Sequence, residues 1–341
     1  MFGYISEQGM EQAKLQWSGR DNEEILKDPE ISDEMKRKIK LIGEYKSFFY
    51  SYFSEKKTSI YSKTTILPHK AVTYLVIASN KTKIEAKEFK FPFMGSFPYI
   101  GFFKKNSAEA FARKLESEEN LATFIRPVYA YSTLGYFEDR ILSSFFEYND
   151  VELAELVFHE LFHTIFFIKD EVELNENLAT LYGKELLKEY FKDRPELQKH
   201  FEIQDKKNLL SQKVVDLIGI LQTEFAKLGG FITPEKADDL TQRFVSEVFI
   251  PGLKSYCVEI QLEDSECEVK PDWNQASFAA FLTYEEEQDF LYQLKSHRSF
   301  DLKQYLTWLR MEYVDYEKQS NYGSFTDFLK IKVPHAPIAA D

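Results

Sequence analysis

Val157-Phe158-His159-Glu160-Leu161-Phe162-His163 sets two imidazoles four residues apart, with a carboxylate directly after the first. On a helix, positions i and i+4 lie one turn apart on the same face, so His159 and His163 can hold one metal ion between them. Glu160 then projects to the side of the pair, within reach of a water at the metal. From this composition the pattern arises by chance in roughly one such sequence in a hundred. Its surroundings sharpen it: nearly every other residue over 151–168 is apolar, which predicts a helix buried on most faces. Burying two histidines and a glutamate costs several kcal/mol unless they are paired or bind a cation. The competing reading is a pair of core histidines hydrogen-bonded to carbonyls.

A catalytic zinc takes three protein ligands and keeps a further position open. Leu174-Asn175-Glu176-Asn177-Leu178-Ala179-Thr180 opens the next predicted helix. An antiparallel helix pair would carry Glu176 back to the two imidazoles. Glu171 and Glu173 are its rivals, although they fall in or beside an exposed polar turn. Thr180 is a candidate partner for the second ring nitrogen of His159, or else an ordinary helix residue. Two neutral imidazoles and one carboxylate leave a net positive site that lowers the pKa of water towards about 7. Glu160 is the expected general base, taking the water's proton and returning it to the leaving amine. The expected cofactor is zinc and the expected reaction is peptide hydrolysis.

These residues need positioning elements. The pattern predicts helices over 5–17 and 33–53, with a turn at Lys27-Asp28-Pro29-Glu30. β-branched and aromatic runs predict strands over 72–77, 84–91 and 99–103, a short helix over 108–116, and strands over 123–125 and 128–132. Asn149 with Glu152 three residues on predicts a capping box for a helix over 150–168, and a second helix runs from about 175 to 191. Over 195–329 the chain reads as several helices, broken at Gly229-Gly230, at Pro251-Gly252 and in the acidic loop before Pro271. The expected fold class is α+β: a small mixed or antiparallel sheet, a zincin-like helix pair and a mostly helical C-terminal half. Residues 1–190 form the expected catalytic region. Residues 191–341 complete or cover its cleft, as a second region or as part of one continuous domain.

The composition narrows the function. With 43 basic and 56 acidic residues the formal charge is −13, spread along the chain, which argues against a nucleic-acid surface. No run of about 18 apolar residues predicts a membrane span. Cys257 and Cys267 flank an acidic loop. They are either unrelated thiols or a short disulfide of an oxidising compartment. His69, His200, His297 and His335 stand outside any ligand pattern.

Further motifs accompany the histidines. Ala130-Tyr131-Ser132-Thr133-Leu134-Gly135-Tyr136-Phe137 lies upstream, preceded by Phe91-Pro92 with Gly95 and by Tyr99-Ile100-Gly101-Phe102-Phe103. With Asn175-Glu176 and Leu178-Ala179-Thr180, they resemble in order and spacing the signatures of a bacterial family called putative aminopeptidases, placed among the gluzincin metallopeptidases. The likeness covers residues 4–190 and thins beyond. There Asn274-Gln275-Ala276 and Tyr284 are similar to the family's N-N-A and later Tyr, with Gln275 departing, and Arg140 stands where a Pro is usual.

The resemblance implies metal ligands His159, His163 and Glu176, with Glu160 catalytic. It implies a peptide or protein substrate whose backbone lies along a strand edge, with 129–134 as candidate edge and Tyr131 near the site. Tyr284 is a candidate oxyanion donor or else a core tyrosine, and Asn274 a candidate substrate contact. The G-x-M-E-N element of well-known zinc aminopeptidases is absent, so endopeptidase or oligopeptidase activity fits as well. A non-catalytic, zinc-stabilised binding protein of the cell envelope is the alternative of another class. Family members often begin with a lipoprotein signal shortly before a segment like Gly3-Tyr4-Ile5, which implies export to the periplasm and a lipid anchor.

Overall fold

A computed structural model describes residues 2–68, 70–91, 95–129, 139–169, 171–228, 232–267, 269–283, 289–319 and 322–333. The chain opens with helix α1 (Phe2–Trp17), strand β1 (Arg20–Asp21), helices α2 (Asn22–Lys27) and α3 (Asp33–Phe53), and strand β2 (Lys63–Thr65). Strands β3 (Thr73–Asn80), β4 (Phe89–Phe91), β5 (Gly95–Phe97) and β6 (Ile100–Phe102) follow, then α4 (Lys105–Glu119), β7 (Leu121–Val128) and β8 (Ile141–Leu142). A 3-10 turn (Ser143–Glu147) leads into α5 (Asp150–Phe162), α6 (Val172–Tyr190), α7 (Pro195–Lys227) and α8 (Pro234–Phe244). A π-helical turn (Val245–Phe249) joins α8 to α9 (Ile250–Glu259). The last elements are α10 (Gln275–Thr283), α11 (Asp289–His297), α12 (Leu302–Glu317) and α13 (Phe325–Lys330). The class is α+β, as the pattern predicts.

The chain forms two interleaved units. One comprises residues 1–17, 67–131 and 198–286; the other comprises 18–66, 132–197 and 287–341. Strand pairing is divided accordingly. The first unit holds the antiparallel sheet β6-β3-β7, with β3 central and fully buried at Val76 and Ala78, and the hairpin β4-β5. The second holds β1-β2-β8, antiparallel at β1/β2 and parallel at β2/β8.

Four local differences from the sequence pattern have physical causes. The strand expected over 84–91 shrinks to β4, because the Ser79 hydroxyl takes the place of ladder bonds by accepting from Glu85 N and donating to Lys83 O. The strand expected over 123–125 is longer, running as β7 from Leu121 to Val128, while most of the one expected over 128–132 lies outside the described residues; Pro127 is tolerated because β7 is an edge strand among the described residues. The histidine helix stops at Phe162, well short of 168. There the Thr164 hydroxyl and backbone N–H both take the Leu161 carbonyl, which tightens the last turn. Pro251 does not break the helical path. It sits in the first turn of α9, where a missing N–H is harmless, and the π-turn bridges to it through Ile250 N donating to Val245 O.

In the second unit, aromatic side chains wedge α5 against its neighbours. Phe158 meets Tyr45, Phe48 and Phe49 of α3 and Tyr190 of α6, and Phe162 stacks on Tyr182 with ring centroids 4.1 Å apart. Burying each such ring contributes roughly 1.5–3 kcal/mol. Gly183 permits the close approach of α6 to α5: a Cβ there would stand 3.2 Å from Glu155 O and 3.4 Å from His159 N.

The start of α5 is pinned by charge. The predicted capping box forms between Asn149 and Glu152. Arg37 of α3 grips the Asp150 carboxylate with two 2.8 Å bonds, and the buried Lys38 ammonium donates to Asp150 Oδ1 and to Tyr148 O. The Tyr45 hydroxyl donates to Asp150 O at 2.9 Å. The Arg37 bonds, reinforced by Lys38, hold the Asp150 carboxyl down to about 2, below its usual 3.8. Because the folded value is depressed, the contribution is complete above about pH 4 and is lost as pH falls towards about 2. Asp150→Asn should therefore lower stability at neutral pH and flatten its dependence between pH 4 and 2, as read by urea unfolding. Parallel pH curves for variant and parent would show that the cluster contributes nothing.

Candidate metal centre

His159 lies in the last turn of α5, and His163 is the residue that caps the helix, still in right-handed helical conformation. The two rings are therefore one turn apart on one face, with centroids 5.1 Å apart and planes nearly perpendicular. The chain reverses after His163, and α6 begins at Val172, three residues earlier than its apolar pattern suggests. This brings Glu176 into the first two turns of α6, opposite the imidazoles. His159 Nε2 is 3.2 Å from Glu176 Oε2, and His163 Nε2 is 3.5 Å from Glu176 Oε1. All three belong to the second unit.

The reversal is fixed by Asn175, whose side chain is buried. Its Oδ1 accepts from Ile168 N at 2.9 Å and its Nδ2 donates to Ile168 O at 2.7 Å, so one amide replaces a strand-like pairing that the turn lacks. Glu171, a rival for the third ligand position, is engaged elsewhere: its carboxylate caps α13, accepting from Phe325 N, Thr326 N and the Thr326 hydroxyl. Glu173 is exposed and stands outside the donor cluster. Thr180 does meet His159, with Oγ1 3.4 Å from Nδ1. A ring that ligates through Nε2 carries its proton on Nδ1, which Thr180 can accept.

Burial acts on the two rings differently. Burial lowers the pKa of His159, but the bond to Glu176 and the charges of Glu160, Glu176 and Glu155 outweigh it, so the net shift is upward. His163 is pushed down to about 4, first by burial and then by the charge of His159. It is thus neutral at pH 7, the form that binds a metal. Burial raises the Glu176 carboxyl, yet its bond to His159 and the two ring charges lower it overall.

The donor set fits a metal ion. Two ligands each about 2.1 Å from a tetrahedral zinc stand about 3.4 Å apart, and the separations here are 3.2 and 3.5 Å. The three ligand atoms lie within 4.8 Å of one another, and no other such group of His, Cys, Asp and Glu occurs among the described residues. His163 provides the sharpest test. Its side chain is 5% exposed, and neither ring nitrogen has a hydrogen-bond partner among the described residues. The glutamate side chain remains 45% exposed, so the cluster is reached from solvent.

Glu160 follows His159 on α5 and is half-buried. Its charge reaches Tyr61, a neighbour that no sequence motif announces. Tyr61 is buried, with φ of 60° in the left-handed region, and is held by its N–H donating to Asp139 O and its carbonyl accepting from Asn22. Burial, then Glu160 and Asp139, push its phenol well above its ordinary value. Only three-dimensional proximity links residues 61 and 160, which is why sequence reading misses it.

Of the remaining expected residues, one is described. Asn274 lies in the first unit, where its Oδ1 caps α10 by accepting from Ala276 N and Ser277 N and its Nδ2 donates to Thr123 O of β7. Gln275, the departure from the family's pattern, donates to Lys81 O and Asp238. Tyr131 and Tyr284 lie outside the described residues, as does most of the candidate edge over 129–134.

Removing the amide that fixes the reversal should loosen the centre without touching a ligand. Asn175→Ala leaves the buried Ile168 N–H unpaired and its C=O with only the 3.4 Å bond from Glu171 N, at a cost of about 2 kcal/mol. It should weaken metal binding by about 10-fold or more in a chelator competition. Unchanged affinity would mean that Glu176 is positioned by packing alone.

The chain matches the family model described as "Putative aminopeptidase" over residues 3–320. No functionally curated protein and no solved structure matches it. A match over nearly the whole length places both units within one family, and the chain belongs to the putative aminopeptidase family.

Proposed function

We propose that this chain is a zinc-dependent peptidase whose metal is held by His159, His163 and Glu176, with Glu160 as general base. The observation that carries this reading is His163: a buried, neutral imidazole without a hydrogen bond among the described residues, turned with His159 towards a shared carboxylate. Bound there, zinc would supply a Lewis acid that polarises a carbonyl and acidifies water. The protein's own groups would do the rest. Thr180 would keep the His159 proton on Nδ1, and Asn175 would hold Glu176 in place. The Glu160 carboxylate would take the proton of the attacking water and return it to the nitrogen of the leaving amine. A structural zinc usually has four protein ligands and few carboxylates. Three ligands with a solvent-reachable glutamate support a catalytic ion over the alternative of a zinc-stabilised envelope protein. The family's name supports an aminopeptidase in particular.

Elemental analysis should find about one zinc per chain, lost in Glu176→Ala and retained in Glu160→Gln. Peptide hydrolysis should fall by about 10²–10⁴-fold in Glu160→Gln. Full zinc retention by Glu176→Ala would remove that ligand from the assignment. A metal-loaded but inactive parent would favour the binding-protein reading.

The cellular location belongs to the same reading. Cys257 and Cys267 are joined in a disulfide, which supports an oxidising compartment and thus export. Thiol titration of denatured protein taken from its native compartment should find no free thiol. Two free thiols would argue for a reducing compartment.

A further inference from the structure

The first unit contains a cavity of about 680 Å³ between the outer edge of β7 and α10 with the segment before it. That volume lies in the range of small-ligand sites, roughly 300–1,000 Å³. Its walls have two characters. Phe124 and Tyr129 line it from the strand side and Trp273 and Phe281 from the other, an aromatic lining suited to a large apolar side chain. Arg126 and Lys270 line the same space, with Asp272 the opposing charge, so among the described residues the lining carries one net positive charge on a chain whose formal charge is −13. Lys270 makes no ion pair or hydrogen bond among the described residues. A cavity of the opposite sign to the whole molecule favours an anion against the general field.

The surrounding structure keeps the cavity open. Beyond Val128 no other strand of the described residues pairs with the outer edge of β7, while at Thr123 that edge is closed by the Asn274 amide. Asn274 also caps α10, so one side chain fixes the separation of the two walls. Trp273 is held by stacking rather than by a polar bond: its ring lies 5.3 Å from Phe278 and 5.0 Å from Phe249, and its N–H has no acceptor among the described residues. The indole can therefore shift to fit a guest without breaking a hydrogen bond.

We propose that this cavity is a binding site for the C-terminal residue of a peptide, with its large apolar or aromatic side chain between Trp273 and Phe124 and its carboxylate at Lys270 and Arg126. The choice of a peptide among apolar carboxylates rests on the peptidase reading; the cavity and its charge do not. The site shares no residue with the metal donors, so the two can be tested apart.

The probe is acetyl-Ala-Ala-Phe with a free C-terminus, compared with the same peptide as its C-terminal amide. Binding is followed by isothermal titration calorimetry on full-length Glu160→Gln protein to prevent turnover. The acid should bind at least about tenfold more tightly than the amide. Lys270→Glu, an exposed substitution that spares the fold, should reduce that preference to about twofold or less. Glu176→Ala in the same background should leave the preference unchanged, whether or not zinc is lost. Equal binding of acid and amide, absence of saturable binding, or a preference untouched by Lys270→Glu would overturn the proposal. A preference that disappears with Glu176→Ala would also overturn it, by assigning the carboxylate to the metal centre.

Discussion

Two imidazoles on an apolar helix end impose the constraint on which the second unit is organised. Neither ring can be left to water, because α5 must bury Val157, Phe158, Leu161 and Phe162 against α3 and α6. A helix buried on those sides has only a narrow face for polar groups, and His159 and His163 occupy it. Their desolvation is offset when a carboxylate is brought alongside, and more fully when a cation joins them. Much of the local architecture serves that approach. Gly183 lets α6 close on α5, Asn175 folds the intervening chain back, and the Arg37-Lys38-Asp150 cluster fixes where α5 begins.

This division of labour explains why the turn is as specific as the helices. The segment after His163 carries Phe166 and Ile168 into the core while its backbone must reverse. Arg310 donates to Ile165 O, the Thr164 hydroxyl takes Leu161 O, and Asn175 takes both polar groups of Ile168. Each backbone group met in this way removes an alternative path for the chain. Glu171, at the far end of the reversal, ties the same segment to α13. A carboxylate that sequence spacing offers as a ligand is thereby committed to holding the loop that places Glu176.

Local signals made much of this legible. The HExxH spacing and the Asn149–Glu152 capping box depend on residues about one turn apart, which short-range geometry governs, and Glu176 returns on the very next helix, after a single reversal. The aromatic runs likewise revealed where α3 and β3 lie. Three features were hidden because they depend on distant partners. Ser79 replaces ladder bonds only when residues 83–85 fold over it. Pro251 is compatible with the helical path because it falls in the first turn of α9, just after a π-turn. Tyr61 meets the charge of Glu160 across a hundred residues of chain. The interleaving of the units was hidden for the same reason: composition does not change where the chain crosses from one to the other.

The interleaving bears on how function can be distributed. All proposed metal ligands lie in residues 132–197, while the aromatic cavity draws on 67–131 and 198–286. The family match spans both sets, so whatever the family does is performed by a chain that carries both. Asn274 illustrates the point. Sequence likeness marks it as a substrate contact, yet its side chain is spent on Thr123 and on the cap of α10. An amide so committed also fixes the wall on which it stands, whatever its second Nδ2 hydrogen meets. Its occurrence in a family motif is then a constraint on the shape of the cavity, in the same sense that Asn175 is a constraint on the position of Glu176.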